Sequence, residues 1–275
     1  MHPTQEFNIG SVLVGGSRPL FLIAGPCVIE SSEHCRFMAR ELKAVTSRCG
    51  VPLIFKASFD KANRTAASSF RGVGMQLGLA VLRSIREEFQ VPVLTDIHEV
   101  EQVKPVADVV DCLQIPAFLC RQTDLLLAAG QSGCAVNVKK GQFLAPWDME
   151  NVVKKLETGG CQRVLLTERG TSFGYNNLVV DMRSFPVMRQ WGWPVVYDVT
   201  HSLQLPGGHG TASGGQSQFI EHLARAGVAV GIDGLFLEVH ENPAKALSDG
   251  PNALPLDRVE ALLQGLKQIH AIVNE

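Results

Sequence analysis

The chain has 275 residues, of which 45% are hydrophobic and 19% charged, a composition typical of a soluble globular protein. Its 25 Lys and Arg residues stand against 27 Asp and Glu residues, so it has no general basic field for nucleic acid. No apolar stretch approaches the roughly 18 residues needed to cross a bilayer, and the start, MHPTQEFNIG, does not resemble a signal peptide. We therefore expect a cytoplasmic protein that binds neither nucleic acid nor membranes.

Eight short apolar runs, each followed by a segment of helical pattern, dominate the chain. They are PLFLIAGPC (19–27), LIFKASF (53–59), VPVLTD (91–96), VVDCLQIP (109–116), AVNVKK (135–140), RVLLTER (163–169), PVVYDVTH (194–201) and GLFLEVH (234–240). Continuous Val, Ile and Leu runs that alternate with helices indicate parallel strands buried on both faces. Eight such units predict a (β/α)8 barrel, or TIM barrel, as one domain over residues 1–275, because this fold typically takes about 250 residues.

Three further segments have patterns of their own. Residues 7–16, FNIGSVLVGG, carry two short β-like pieces, and we expect an N-terminal hairpin that closes the bottom of the barrel. A polar loop after the second strand, residues 60–72, carries Lys61, Arg64 and Arg71. Residues 205–216, after the seventh strand, include five glycines, a composition that suits either a mobile lid over substrate or a tolerated surface insertion.

Polar or chemically special residues end all eight predicted strands. They are Cys27, Lys56, Asp96, Gln114, Lys139, Arg169, His201 and Glu238. In a TIM barrel the carboxyl ends of the strands meet at one face, where the active site lies. These residues are therefore candidates for a common site.

The first, seventh and eighth strands are neighbours in a closed barrel, which brings Cys27, His201 and Glu238 together. A thiolate, an imidazole and a carboxylate suit Fe²⁺, Zn²⁺ or Mn²⁺. Asp249, in ALSDGPN, is either a fourth ligand or an ordinary turn residue. Each residue alone also has an ordinary structural explanation, and only their convergence indicates a metal site.

Lys56, Lys139 and Arg169 end strands two, five and six without carboxylates in the same motifs. Three cations at one face repel each other, so we expect them to bind an anion; salt bridges to neighbouring acids such as Glu168 are the alternative. The cations of the 60–72 loop bind a second anionic group or are simply solvated. Because the chain has no P-loop and no GxGxxG after a strand, small phosphorylated metabolites are expected rather than nucleotides.

Eight segments, taken in order, resemble the family of 3-deoxy-D-manno-octulosonate 8-phosphate synthases. They are IAGPCVIES, FKASFDKANRT, TDIHE, QIPAFLCRQTDLL, AVNVKKGQFLAPWD, LTERGTSFGYNNLVVDMR, YDVTHSLQLPGG and ALSDGPNALPL. KANR and PAFLCRQTDLL distinguish this family from the related aldoheptulosonate synthases. The resemblance implies condensation of phosphoenolpyruvate with D-arabinose 5-phosphate and water, with release of inorganic phosphate, toward the inner-core sugar of lipopolysaccharide.

The resemblance also implies roles for individual residues. It implies that phosphoenolpyruvate is bound by Lys56, Lys61, Lys139 and Arg169. It implies that the pentose phosphate is held by Asn63 and Arg64, with Arg121 from a neighbouring subunit of a homotetramer. Further residues that it places at the substrates are Ser58, Thr65, Asp96, Gln114 and Ala117. At Thr65 the family commonly has serine, so the hydroxyl is kept.

The family has a metal-dependent branch and a branch with asparagine in place of the cysteine. With Cys27 the chain resembles the metal-dependent branch, which implies a divalent ion (Fe²⁺, Zn²⁺ or Mn²⁺) held by Cys27, His201, Glu238 and Asp249. Lys61, Cys27, His201 and Asp249 are expected to be catalytic.

Two other functions are compatible with parts of the pattern. A Schiff-base aldolase would use Lys139 or Lys56 to form an imine with a keto substrate, but it leaves Cys27, His201 and Glu238 without a role. A non-catalytic phosphosugar sensor would need no metal ligands beside its anion site.

Overall fold

The computed structural model describes residues 3–64, 66–207 and 214–274. Its strands are β1 (Phe7–Ile9), β2 (Val12–Val14), β3 (Phe21–Gly25), β4 (Leu53–Lys56), β5 (Val93–Asp96), β6 (Cys112–Ile115), β7 (Ala135–Lys139), β8 (Val164–Glu168), β9 (Thr171–Ser172), β10 (Leu178–Val179), β11 (Val195–Asp198), β12 (Gln204–Leu205), β13 (Gly214–Gly215), β14 (Gly234–His240) and β15 (Leu254–Pro255). Its helices are α1 (Ser32–Cys49), α2 (Met75–Phe89), α3 (Val100–Ala107), α4 (Thr123–Gln131), α5 (Met149–Thr158), α6 (Ser184–Arg189), α7 (Val199–Ser202), α8 (Ile220–Val230) and α9 (Val259–Val273).

The barrel closes because β14 pairs in parallel with β3 on one side and with β11 on the other. The remaining parallel pairs run in order from β3 through β4, β5, β6, β7 and β8 to β11. Every residue of these eight strands is buried, as expected of strands packed between a barrel interior and a ring of helices. The predicted (β/α)8 fold is confirmed.

The N-terminal hairpin covers the amino ends of the barrel strands. Strands β1 and β2 pair in antiparallel register, and Gly10 at the turn has a φ of 54°, a left-handed conformation that favours glycine. Arg163 donates to the carbonyl oxygen of Asn8 at 3.3 Å, and Gln5 N donates to the carbonyl oxygen of Gly192 at 2.7 Å. Because Arg163 and Gly192 precede β8 and β11, the hairpin lies at the bottom of the barrel, as predicted.

Three predicted strands extend two or more residues too far at their carboxyl ends, and one of them, the run 53–59, already ends at Lys56. Cys27 lies two residues beyond the end of β3, and His201 lies in the helical turn α7 instead of in a strand. The turn begins there because the Asp198 side chain accepts the His201 backbone N–H at 3.0 Å, which satisfies a free donor of its first turn. Gly25 ends β3 where a Cβ atom would overlap the carbonyl oxygen of Lys56. Glycine thus lets the chain leading to Cys27 pass close to β4.

The two long loops are only partly regular. Residues 60–72 contain no helix or strand in their described part, and Thr65 lies outside the described residues. In the glycine-rich segment β12 pairs with β13, but residues 208–213 lie outside the described residues, so the lid remains a prediction.

Within the described ranges, no helix has both the length and the apolar character that a membrane span requires.

Candidate active site

A cavity of about 640 Å³ opens at the carboxyl ends of the barrel strands. The predicted site residues that line it are Lys56, Lys61, Asn63, Arg64, Asp96, Gln114, Ala117, Lys139, Arg169, His201 and Asp249. Cys27, Ser58 and Glu238 lie directly behind this lining and contact it. The cavity volume lies in the range of small-molecule sites, which are about 300 to 1,000 Å³.

Four side chains converge on one wall of the cavity. One ligand atom from each of Cys27, Glu238 and Asp249 lies within 4.8 Å of the others, and Cys27 Sγ is 3.4 Å from Asp249 Oδ2. His201 Nε2 lies 3.2 Å from Glu238 Oε1 and 3.8 Å from Asp249 Oδ2. We call these four residues the thiol–carboxylate cluster. The structure therefore brings together the four residues predicted as metal ligands.

The thiol–carboxylate cluster fits a divalent cation. Glu238 Oε2 is buried and has no hydrogen-bond partner among the described residues. His201 Nδ1 lies 2.7 Å from Asp198 Oδ2, an arrangement that leaves Nε2 to face the cluster as a ligand. Burial, reinforced by the negative charge of Glu238, raises the pKa of the Cys27 thiol. A divalent ion at this position would reverse that effect and hold the thiolate.

Asp249 has an unusual backbone conformation. Its φ of 52° lies in the left-handed region, which costs energy for a residue other than glycine, although aspartate tolerates it better than most. Gln204 donates to Asp249 Oδ2 at 3.2 Å. The Asp249 carboxylate is thus held toward Cys27 and His201 by its backbone conformation and by a neighbouring side chain. Sequence reasoning missed Gln204, which follows α7 in the motif THSLQLPGG.

Two of the three predicted strand-end cations have carboxylate partners. Lys56 Nζ donates to the Cys27 carbonyl oxygen at 2.9 Å and lies 3.5 Å from Glu238 Oε1, while Lys139 forms an ion pair with Asp198. Lys56 and Lys139 therefore form the salt bridges that the sequence left as the alternative, although with acids outside their own motifs. Their partners lie across the barrel interior, far away in sequence. Burial lowers the pKa of Lys139 to about 8, although Asp198 opposes this shift.

Arg169 has donor capacity left for a ligand. Its side chain is buried, Nη2 donates to Gln204 Oε1 at 2.7 Å, and Nη1 has no hydrogen-bond partner among the described residues. Glu168, the alternative partner, instead accepts the backbone N–H groups of Arg169 and Gly170 at 2.9 and 2.7 Å. A buried guanidinium with a free N–H at the cavity wall suits a phosphate or carboxylate ligand.

A chain of buried polar side chains supports the floor of the cavity. Asp96 accepts hydrogen bonds from Ser58 and Gln114, and Gln114 Oε1 accepts one from Asn137 at 2.8 Å. Lys61 Nζ lies 3.9 Å from Asp96 Oδ2. Although burial opposes ionisation, Lys56 and Lys61 hold the pKa of Asp96 well below its usual range. Asn137 was missed, and its signal is a polar residue in the middle of the buried run AVNVKK.

Arg64 and the thiol–carboxylate cluster share a contact that the sequence did not reveal. Arg64 Nη1 donates to Ser248 Oγ at 2.8 Å, and Cys27 Sγ lies 3.0 Å from the same oxygen. Ser248 is buried next to Asp249 in the same loop. In contrast, Arg71 pairs with Asp60 through Nε at 2.8 Å and does not line the cavity.

Arg121 does not reach the cavity of its own chain. It is exposed and lines a separate hollow of about 370 Å³, together with Asp148, Asn151 and Lys155. Lys155 donates to the Arg121 carbonyl oxygen at 3.1 Å. The predicted contribution of Arg121 to the site of a neighbouring subunit therefore stays a prediction.

A TIM barrel with buried cations and a thiol–carboxylate cluster at the carboxyl ends of its strands has the architecture of an enzyme for phosphorylated metabolites. The model of the DAHP synthetase I family matches residues 3–275, and the chain belongs to this family.

Curated relatives match over nearly the whole chain. A protein of Geobacter metallireducens (strain ATCC 53774 / DSM 7210 / GS-15) is 62% identical over 271 residues, which are 98% of this chain and 100% of the relative. A protein of Trichlorobacter lovleyi (strain ATCC BAA-1151 / DSM 17278 / SZ) is 61% identical with the same coverage of both chains. Both are named 2-dehydro-3-deoxyphosphooctonate aldolase. This name describes a phosphorylated 3-deoxy-2-keto eight-carbon acid, and it confirms the resemblance found in the sequence.

Proposed function

We propose that the chain condenses phosphoenolpyruvate with D-arabinose 5-phosphate and water to give 3-deoxy-D-manno-octulosonate 8-phosphate and inorganic phosphate. This is the first committed step toward the inner-core sugar of lipopolysaccharide. The observation that carries the proposal is a single cavity lined by the buried guanidinium of Arg169 and by His201 and Asp249 of the thiol–carboxylate cluster, with Cys27 and Glu238 directly behind them. The names of relatives about 60% identical over their full length support it.

Phosphoenolpyruvate is the ligand best suited to the cations at the ends of β4, β7 and β8. Its phosphate and carboxylate together need several donors, and the free Nη1 of Arg169 with the ammonium groups of Lys56, Lys61 and Lys139 supplies them. The anion would also favour the charged form of Lys139, whose pKa burial has lowered. Held by these groups, C3 of the substrate faces the rest of the cavity.

The pentose phosphate enters against the 60–72 loop. Asn63, Arg64 and Ala117 line that part of the cavity, and the guanidinium of Arg64 is half-buried against Ser248. We propose that Arg121 of a second subunit completes the phosphate site, in a homotetramer. Thr65 belongs to the same proposed site and lies outside the described residues.

The reaction joins C3 of the enol ester to the aldehyde carbon of the open-chain pentose. The hydroxide part of water adds at C2, and the aldehyde oxygen takes the remaining proton of that water and ends as a hydroxyl. The bond between C2 and the phosphate oxygen then breaks, and the C2 hydroxyl loses its proton to the departing phosphate to give the ketone. A divalent ion (Fe²⁺, Zn²⁺ or Mn²⁺) bound by Cys27, His201, Glu238 and Asp249 would polarise the aldehyde or lower the pKa of the water. The cations that bind phosphoenolpyruvate would hold its C3 over the carbonyl carbon, and this proximity would contribute to catalysis.

Lys61 and His201 are catalytic groups of the chain in this proposal, together with Cys27 and Asp249, which act as metal ligands. Although burial opposes it, the charges of Cys27, Asp96 and Glu238 raise the pKa of Lys61, so its ammonium is a persistent hydrogen-bond donor to the developing alkoxide. Asp198 and Glu238 raise the pKa of His201 against the effect of burial, and Asp198 fixes the imidazole through Nδ1. Both side chains line the cavity where the aldehyde must lie.

We also propose a cytoplasmic location, because both substrates are phosphorylated anions that do not cross membranes unaided.

Release of inorganic phosphate from phosphoenolpyruvate tests the function directly. We expect rapid release with arabinose 5-phosphate, little with erythrose 4-phosphate or ribose 5-phosphate, and none without an aldose phosphate. Equal or faster phosphate release with erythrose 4-phosphate would instead indicate that the chain is an aldoheptulosonate synthase. No release with any aldose phosphate, by protein loaded with each candidate metal, would contradict the proposal.

The Schiff-base alternative keeps one supporting observation, the lowered pKa of Lys139. A lysine of this kind is a typical imine-forming nucleophile. Treatment with pyruvate and borohydride followed by intact-mass measurement separates the two reactions, since only an imine intermediate is trapped. We expect no adduct, because Lys139 is held by Asp198.

A further inference from the structure

A second group of metal-ligating side chains lies away from the cavity. Glu30 lies between β3 and α1, His34 in the first turn of α1, and His240 at the end of β14. One ligand atom from each lies within 4.8 Å of the others. None of the three lines the cavity or belongs to the proposed catalytic machinery. An inference about this group therefore does not depend on the proposed function.

The two histidines share one carboxylate, and their opposite nitrogens form no hydrogen bond within the described part of the chain. Glu241 Oε2 lies 2.8 Å from His34 Nε2 and 3.2 Å from His240 Nδ1. His34 Nδ1 and His240 Nε2 are buried and have no hydrogen-bond partner among the described residues, and His240 is only 4% exposed. Metal-bound histidines typically donate their other ring N–H to a carboxylate, which fixes the ring. Glu241 is positioned to accept the ring N–H of both histidines at once.

Glu30 supplies an oxygen ligand of fixed direction. Its Oε1 lies 3.4 Å from His240 Nε2 and accepts the backbone N–H of Leu247 at 2.8 Å. A carboxylate has a second oxygen and further lone pairs, so this hydrogen bond does not prevent coordination. The hydrogen bond from Leu247 also connects Glu30 to the loop that carries Ser248 and Asp249.

One contact favours the opposite tautomer of His240. The backbone N–H of Asn242 donates to His240 Nδ1 at 2.9 Å, and in that form the ring proton is on Nε2. Binding of an ion at Nε2 requires the proton on Nδ1, where it faces Glu241. The ion must therefore displace the Asn242 contact, which lowers the affinity of the site but leaves its ligand set intact.

We propose that Glu30, His34 and His240 form a second metal site, for a borderline divalent transition ion such as Zn²⁺, Co²⁺, Ni²⁺ or Cu²⁺. Two imidazole nitrogens and one carboxylate oxygen suit these ions and are unsuited to Ca²⁺ or Mg²⁺, which prefer all-oxygen sites. Water would complete the coordination beside Glu30, whose side chain is 16% exposed. An ion bound here would link α1 to β14 next to the loop that carries Asp249.

Titration of metal-free, tag-free protein with Co²⁺ tests the site. We expect one more equivalent of bound Co²⁺ in the wild-type chain than in His34→Gln, measured by equilibrium dialysis and elemental analysis. The additional ion should lack the thiolate-to-cobalt charge-transfer absorption that Cys27 would give at the thiol–carboxylate cluster. That band, if present in the wild type, should be retained in His34→Gln. These readouts separate the second site from the proposed catalytic one.

His222→Gln is the matched control, because His222 is an exposed histidine on α8 away from this group. It should bind as much Co²⁺ as the wild type. Glu30→Gln is the second variant if His34→Gln fails to fold by circular dichroism; its amide oxygen can still accept the Leu247 N–H, while the charged ligand is lost. Equal Co²⁺ stoichiometry in wild type and in a folded His34→Gln or Glu30→Gln protein would overturn the proposal.

Discussion

The Cys27 thiol lies 3.0 Å from the hydroxyl oxygen of Ser248, which also accepts a hydrogen bond from Arg64 at 2.8 Å. One buried hydroxyl thus connects a proposed metal ligand with a proposed ligand of the pentose phosphate. Replacing it should therefore disturb both sites.

Ser248→Ala should raise KM for arabinose 5-phosphate about fivefold, because the Arg64 guanidinium loses a hydrogen bond of about 1 kcal/mol that holds its direction. The KM for phosphoenolpyruvate should change less. Steady-state kinetics with each substrate varied in turn gives the comparison, and Ser68→Ala, an exposed serine of the 60–72 loop that carries Arg64, is the control. An unchanged KM for the pentose phosphate would show that the Ser248 contact does not position Arg64.

Arg169→Ala should lower kcat/KM for phosphoenolpyruvate, because a buried anion loses a charged partner. The expected loss of transition-state binding free energy is about 2 to 5 kcal/mol. Arg71→Ala is a matched control, because this guanidinium is exposed and pairs with Asp60 outside the cavity. Wild-type kcat/KM in a folded Arg169→Ala protein would refute the phosphoenolpyruvate site.

Affinity for phosphoenolpyruvate should weaken as the pH rises through about 8. Burial brings the pKa of Lys139 down to about 8, so its charge is complete below that pH and is lost above it. The ordinary lysine pKa of about 10.4 would place this loss far higher. The KM for phosphoenolpyruvate measured from pH 6.5 to 9.5 should show the inflection, and Lys139→Gln should have a high KM without it. An inflection that persists in Lys139→Gln belongs to another group.

Prolonged chelation should abolish turnover while circular dichroism stays unchanged, and Mn²⁺, Fe²⁺ or Zn²⁺ should restore activity to different extents. Cys27→Asn should keep measurable activity that no longer responds to chelator, as the asparagine branch of the family implies. Cys27→Ala is the comparison and should lose most activity. Normal turnover by wild-type protein that elemental analysis proves metal-free would show that the thiol–carboxylate cluster is structural.

Mixed oligomers of inactive Arg121→Ala and Lys139→Ala chains should regain part of the activity, because some sites then combine two intact contributions. The exposed position of Arg121, outside the cavity of its own chain, motivates this test. Mass spectrometry of the intact assembly must confirm mixed composition. Mixed assemblies that stay inactive would remove Arg121 from the proposed shared site.

The sequence alone determined the barrel and most of the charged side chains that line its cavity. Strands such as β7 and β14 are buried on both faces, so their apolar runs are visible without knowledge of any partner. Closure of eight such strands then placed Cys27 beside Glu238, because the first and last strands must pair.

Only the tertiary structure decided which side chains form ion pairs and hydrogen bonds with one another. The pairing of Lys139 with Asp198, the fixing of His201 by the same carboxylate, and the position of Ser248 between Cys27 and Arg64 join residues that are separate in the chain. Local patterns of hydrophobicity report burial and period, whereas these contacts depend on distances across the barrel and on loop backbones such as that of Asp249. Such distances are set by the packing of the whole chain, so no single segment encodes them.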